Sequence, residues 1–225
     1  MLQIKHFVFG PFQTNTYVIT IDDQSPMTND QSPMVLLVDP ACSNTYEQQQ
    51  LFNYINRQSI VNRQSSNRQL VILASHGHLD HLWGAAWATK QWNTPVLMHE
   101  ADIPLAQDMQ GQYDLFGIRA TPEPFPIIPM TNDLLPMTNM SILHTPGHTQ
   151  GSICLYFPQS PITNNQSPLL ISGDTLFRMG YGRTDLPGGN MGQLIDSLEY
   201  LFTLPPSTRV YPGHGDFTTI GAEKR

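Results

Sequence analysis

"LVILASHGHLDHLWG" (residues 70–84) decides how the rest of this chain is read. It opens with a continuous apolar run, "LVILAS", of the kind expected of a strand covered on both faces. His76, His78, Asp80 and His81 follow within six residues, so three of the chain's 8 histidines stand at one strand end.

Outward from there, strand and helix signals alternate. "TYVITI" (16–21) and "VLLVDP" (35–40) read as neighbouring strands, and "NTYEQQQLFNYI" (44–55) as a helix. In that helix Thr45 and Gln48 have capping-box spacing, and Leu51, Phe52 and Ile55 share a face. A helix is expected through "LWGAAWATKQWN" (82–93), a strand at "TPVLMHE" (94–100) and a helix over Glu100–Met109. The proline-rich "GQYDLFGIRATPEPFPIIPM" (111–130) reads as a long loop over one edge. Strands follow at "SILHT" (141–145), "SICLYF" (152–157), "LLISGD" (169–174) and "TRVYPG" (208–213). Between the last two, Leu194, Ile195, Leu198, Leu201 and Phe202 fall at helical spacing. Strands interleaved with helices imply an α/β fold, a sheet layer covered by helices. No boundary interrupts the pattern, so one domain is expected over 1–225.

Four tracts interrupt this order: 22–34, 56–69, 129–139 and 159–168. They repeat "DQSPMTN"-like and "NRQS"-like units. A seven-residue period suggests a coiled coil, but each heptapeptide unit carries proline and no apolar seam exists. The tracts read as inserted surface loops, where added length costs little.

Composition narrows the function. A formal net charge of −7 argues against a nucleic-acid binder, which needs a basic surface. No block of like charge suggests a membrane patch, and no segment resembles a signal peptide or membrane span. Cys42 reads as a loop thiol and Cys154 as a core thiol, too few for a disulfide framework. The expectation is a cytoplasmic protein; its oligomeric state is not legible.

The remaining polar candidates obey the rule of the opening stretch. His148 in "TPGHTQGS", Asp174 in "ISGDTLF" and His214 in "YPGHG" each follow an apolar run beside a glycine. In α/β folds, strand ends are where side chains from distant segments converge. Five imidazoles and two carboxylates without a thiolate suit zinc, iron or manganese in a site that is not purely structural. Seven such groups exceed what one tetrahedral ion uses, so two divalent ions are expected, zinc first. Taken singly each histidine would be an ordinary hydrogen-bonded residue, and His6, His99 and His144 are read that way.

With "SHGHLDH", "TPGHTQGS", "GDTLF", "GYGRTD" and "YPGHG" in that order, the chain resembles the metallo-β-lactamase fold superfamily. Within it, it resembles the short, single-domain members of the glyoxalase II-like (hydroxyacylglutathione hydrolase-like) branch, since only Gly215–Arg225 follow His214. The resemblance implies a four-layer αββα sandwich with a dinuclear centre at one edge. It implies His76, His78 and His148 on the first ion, Asp80, His81 and His214 on the second, and Asp174 between them. The implied reaction is hydrolysis of a small-molecule thioester such as S-lactoylglutathione, with Asp80 orienting the attacking hydroxide. Phe177, Tyr181 and Arg183 are the expected substrate contacts, Arg183 pairing with Asp185 or with a ligand histidine. Two alternatives remain open: a mononuclear iron persulfide dioxygenase-like enzyme, and another hydrolase of the same fold.

Overall fold

A computed structural model describes residues 2–21, 34–61, 70–130, 140–158 and 167–224, without the side chains of 58–61. Most of the four repeat tracts lies outside the described residues. One part of that reading is corrected: residues 56–61 continue the first helix rather than belonging to a loop.

Thirteen strands are described. The first sheet has the order β1 (Leu2–Phe9), β2 (Thr14–Ile21), β3 (Met34–Val38), β4 (Leu70–Leu73), β5 (Val96–Met98), β6 (Ile127–Pro129). β1, β2 and β3 pair antiparallel, and β3 to β6 run parallel. The second sheet joins β7 (Ser141–His144), β8 (Ile153–Phe157), β9 (Leu169–Gly173), β12 (Arg209–Pro212) and β13 (Thr218–Thr219) in the order β13-β12-β9-β8-β7. A two-stranded hairpin, β10 (Leu176–Phe177) with β11 (Gly180–Tyr181), stands apart.

The inner strands β2, β3, β4, β5, β8, β9 and β12 are largely buried on both faces because their alternate residues enter different cores. From β3, Leu36 and Val38 face the second sheet's Ile153, Leu155, Phe157 and Ile171. Val35 and Leu37 face the other way, against helices α1 (Thr45–Val61), α3 (Ala85–Trp92) and α5 (Met109–Leu115). On the far side of the second sheet, Leu170 and Val210 meet Leu194, Leu198 and Leu201 of α6 (Met191–Leu201) and Ile220 of α7 (Ile220–Glu223). Three apolar interfaces therefore separate four layers, helix–sheet–sheet–helix. Among the described residues no helix is long and apolar enough to cross a membrane.

Several local expectations are corrected. Asn44, not Thr45, caps α1: its Oδ1 accepts the amides of Tyr46 and Glu47, both at 3.1 Å. Glu47 rather than Gln48 reaches back, accepting the Ser43 amide at 2.7 Å. Ile195 lies off the buried face of α6, 48% exposed. The expected helix at 82–93 is α3 for most of its length, but Leu82 ends a separate short helix, α2 (Leu79–Leu82). The expected helix from Glu100 is also divided, into a 3-10 turn Glu100–Asp102, α4 (Ile103–Gln107) and α5. The break comes at Asp108, whose side chain caps α5 through the Gly111 amide. The proline-rich stretch closes as edge strand β6, where a proline costs no ladder bond. Cys42 is in a loop as expected, yet as buried as Cys154; burial pushes their thiols up to about 12 and about 11.

Candidate metal centre

Parallel pairing places the chemistry. Because β3 and β4 run parallel, Asp39 and the His76–His81 segment leave the first sheet at the same edge. β9 and β12 are parallel in the second sheet, so Asp174 and His214 also emerge together. The β7–β8 connection carries His148 back across that edge. The two sheets are tied there by the Ile153 amide on the Ser75 carbonyl (2.9 Å) and the Asn15 amide on the Gly213 carbonyl (2.7 Å).

All seven residues singled out in the sequence meet at this edge. Three groups have side-chain N or O atoms within 4.8 Å of one another: His76, His78 and His148; His76, His81 and Asp174; and Asp80, His81 and His214. Asp174 stands between the outer two groups. Its Oδ2 is 3.6 Å from His148 Nε2 and 3.5 Å from His214 Nε2, and its Oδ1 is 3.3 Å from His81 Nε2. Asp80 Oδ2 is 3.1 Å from His214 Nε2 and accepts Thr14 Oγ1 at 2.8 Å. Gly213 permits this packing, since a Cβ there would collide with Asp174 Oδ1.

Four of the five imidazoles are held at their far nitrogen. His76 Nδ1 pairs with Ser75 Oγ (3.0 Å), and His81 Nδ1 donates to Asp39 Oδ2 (2.9 Å). His148 Nδ1 donates to the Arg183 carbonyl (2.7 Å), and His214 Nδ1 to that of Phe12 (3.1 Å). A proton fixed on Nδ1 leaves Nε2 as a lone pair aimed inward. The inward atoms lack partners: His76 Nε2, His78 Nε2, His81 Nε2 and Asp174 Oδ1 are buried without a hydrogen bond. His78 Nδ1 faces His148 Nε2 at 2.9 Å. Orphaned buried acceptors are costly unless a cation satisfies them. The residues present therefore fit a divalent metal, and the His/Asp clusters are consistent with a dinuclear site.

The electrostatics differ across the centre. Burial first, then the neighbouring imidazoles, hold His76 well below the ordinary histidine pKa. Burial and His148 push His78 down to about 3. For His81 burial acts downward too, but Asp80, Asp174 and Asp39 outweigh it and hold its pKa well above the ordinary value. His214 is likewise raised against burial by its hydrogen bond to Asp80 and the charge of Asp174. Asp80 and Asp174 are held below the usual carboxylate range against burial, by His81 foremost.

The expected substrate contacts separate. Phe177 stands beside the centre, its ring 6.1 Å from that of His214 and at 88° to it. Tyr181 is 52% exposed on the hairpin. Arg183 pairs bidentately with Asp185 (2.7 and 2.6 Å) in solvent, and its backbone carbonyl rather than its guanidinium touches His148. Of the other histidines, His6 bonds Asn15 Oδ1 at 2.7 Å, and His99 and His144 stack on each other, 4.1 Å between ring centres.

Sequence reading missed the supports. Asp39 accepts the Ser75 amide, Ser75 Oγ and His81 Nδ1. It follows an apolar run as the ligand-type residues do, but lacks their adjacent glycine. Asn15 Nδ2 and Tyr17 Oη both donate to the Pro212 carbonyl, at 2.9 and 2.6 Å, gripping the His214 loop. Gln112 accepts the Leu79 amide and donates to the Gly77 carbonyl.

The family model described as the metallo-beta-lactamase superfamily matches residues 9–214. The chain is 33% identical over 220 residues to the "Probable metallo-hydrolase YqgX" of Bacillus subtilis (strain 168), covering 96% of this chain and 91% of that protein. It is 35% identical over 169 residues to the "Hydroxyacylglutathione hydrolase GloC" of Haemophilus influenzae, covering 69% and 73%. Two solved structures at 30% identity resemble it throughout. TTHA1623 in a di-iron-bound form has a TM-score of 0.71 with 98% and 97% of the two chains covered, and the BLEG-1 B3 metallo-beta-lactamase has 0.75 with 98% and 96%. The match over 9–214, the two helix-flanked mixed sheets and the histidine-rich edge agree: this chain belongs to the metallo-beta-lactamase superfamily.

Proposed function

We propose that the chain is a dinuclear metal-dependent hydrolase of thioesters of the hydroxyacylglutathione type. The observation that carries the dinuclear reading is Asp174, whose Oδ2 faces His148 and His214 at nearly equal distance. On this reading His76, His78 and His148 hold one ion, Asp80, His81 and His214 hold the other, and Asp174 is shared. Such a pair of ions, zinc in the first instance with iron or manganese as alternatives, polarises a carbonyl and makes water nucleophilic at neutral pH.

The chain's own groups do the rest. Asp80 is ionised, braced by Thr14 and partly open to solvent (17% side-chain exposure), so it can accept a hydrogen bond from the attacking water or hydroxide and orient it. Asp39 and the carbonyls of Phe12 and Arg183 hold three imidazoles in one tautomer and one orientation. A thiol has a pKa of about 8.5, so a thiolate leaves without a strong acid beside it. Phe177 covers one side of the centre, and Tyr181 and Arg183 lie outward where a thiol carrier would pass. Support for a thioester comes from the similarity to the Haemophilus influenzae hydrolase and from the "GDTLF" and "GYGRTD" motifs.

Metal content measured together with turnover of a thioester panel, S-lactoylglutathione included, tests this. Two equivalents of metal and hydrolysis lost on stripping are expected. Full activity in a stripped sample ends the proposal. Oxygen uptake with glutathione persulfide would favour the dioxygenase, and opening of a β-lactam alone would favour lactamase chemistry.

A further inference from the structure

The loop of His76 and His78 and the loop of His148 leave different sheets, yet one carboxylate grips both. Asp102, 1% exposed, ends the 3-10 turn. Its Oδ2 accepts the Gly77 amide and the Thr149 hydroxyl, each at 2.7 Å. Its Oδ1 accepts the Gly151 amide at 2.6 Å. Gly77 lies between His76 and His78, while Thr149 and Gly151 follow His148. A Cβ on Gly151 would fall 2.7 Å from the Asp102 Cβ, so only glycine admits the carboxylate.

A second pin crosses the same joint. His144 Nε2 donates to the Gln150 carbonyl at 2.9 Å, and its ring stacks on His99. The carbonyl of His99 accepts the Asp102 amide at 3.0 Å. Two histidines left over from the metal centre thus brace the turn that presents Asp102. Among the described residues no lysine or arginine pairs with Asp102; both its oxygens are spent on the two loops.

We infer that Asp102 is a positioning residue for the His76–His78–His148 half of the centre, setting the spacing between its two loops. This rests on the metal-centre reading above. Both carboxylate oxygens accept, so asparagine cannot replace aspartate: its amide NH2 would face an N–H donor on one loop. A direct outer partner of a metal ligand costs about 10- to 100-fold in metal affinity when lost, and Asp102, which holds the loops beside the ligands, is expected at the lower end of that range. A residue that merely stabilised the fold would weaken both halves alike. Thr14, which holds Asp80, is the counterpart in the other half.

The test is zinc titration of the metal-free full chain against a chromophoric chelator, with thermal melting of the same samples. In the wild-type chain two equivalents bind. Asp102→Asn weakens one of them by about 10-fold and spares the other. Thr149→Val removes only the hydroxyl's bonds to Asp102 and to Ser152 Oγ, weakens the same equivalent by less, and decides the matter if Asp102→Asn fails to fold. Thr14→Val weakens the other equivalent. The inference is overturned if the Asp102 and Thr149 variants bind both equivalents normally, or weaken both equally in step with a lowered melting temperature. A wild-type chain that binds no zinc would overturn the metal-centre reading as well.

Discussion

The two halves of the centre are built on opposite principles. His76, His78 and His148 are three buried imidazoles; of these, His76 and His78 are pushed toward neutrality by burial and by their neighbours. Asp80, His81 and His214 are mixed in sign, and Asp80 and His214 reach solvent at 17% and 28% side-chain exposure. On the proposed reading, the first half would be prepared for a cation by desolvation and the second by carboxylates. Asp174 Oδ2 lies 3.6 Å from His148 and 3.5 Å from His214, within reach of both halves, which makes it the point where the comparison breaks most easily.

Asp174→Ala should have the largest effect: both metal equivalents and hydrolysis fall by more than the roughly 100-fold that loss of an outer partner costs. Elemental analysis and turnover check it; one equivalent retained at full affinity would show that the halves do not share the carboxylate. Asp39→Asn comes next. It leaves His81 Nδ1 without its anionic acceptor, and an affinity loss of about 10- to 100-fold is expected in chelator competition.

Protonation sharpens the contrast. His81 and His214 have raised pKa values, so in the metal-free chain they hold protons that a metal must displace. Their half should therefore release protons on metal uptake and bind more tightly as pH rises above 6.5, up to their raised pKa values. His78, at about 3, and His76 are already neutral at neutral pH and contribute no such slope there. Calorimetric titration in buffers of different ionisation enthalpy reads the released protons; equal release from both equivalents would contradict the asymmetry. The smallest effect is expected of Arg183→Ala. His148 is held by the backbone carbonyl, and an exposed ion pair contributes about 0–1 kcal/mol. Metal affinity and melting temperature should barely move, and a large drop in affinity would mean that the side chain reaches the centre.

How much of this was legible depended on whether a residue carried its own signal. The ligand-type residues did, because each follows an apolar run and the H-x-H-x-D-H spacing is rare. The strands of both sheets were visible for the same reason, except β1, the edge strand β6 and the two-residue β13. β6 was masked by its prolines, and β1 and β13 were not among the expected strands. Supports carried little signal. Asp102 reads as one acidic residue in an ordinary turn, and Arg183 acts through a carbonyl that every residue has. Asn44 against Thr45 as the cap of α1 turned on one residue of register, the usual margin for helix ends.

From the amino-acid order alone came the layering of strands and helices, the seven polar residues and the kind of ion they suit, since periodicity and donor chemistry are local properties. The folded chain alone decided how far Asp174 stands from the imidazoles on either side, which nitrogen of each imidazole points inward, and which buried acids grip the loops. Those are distances between segments far apart in sequence, set by sheet order and parallel register, and neither is written in any single stretch of chain.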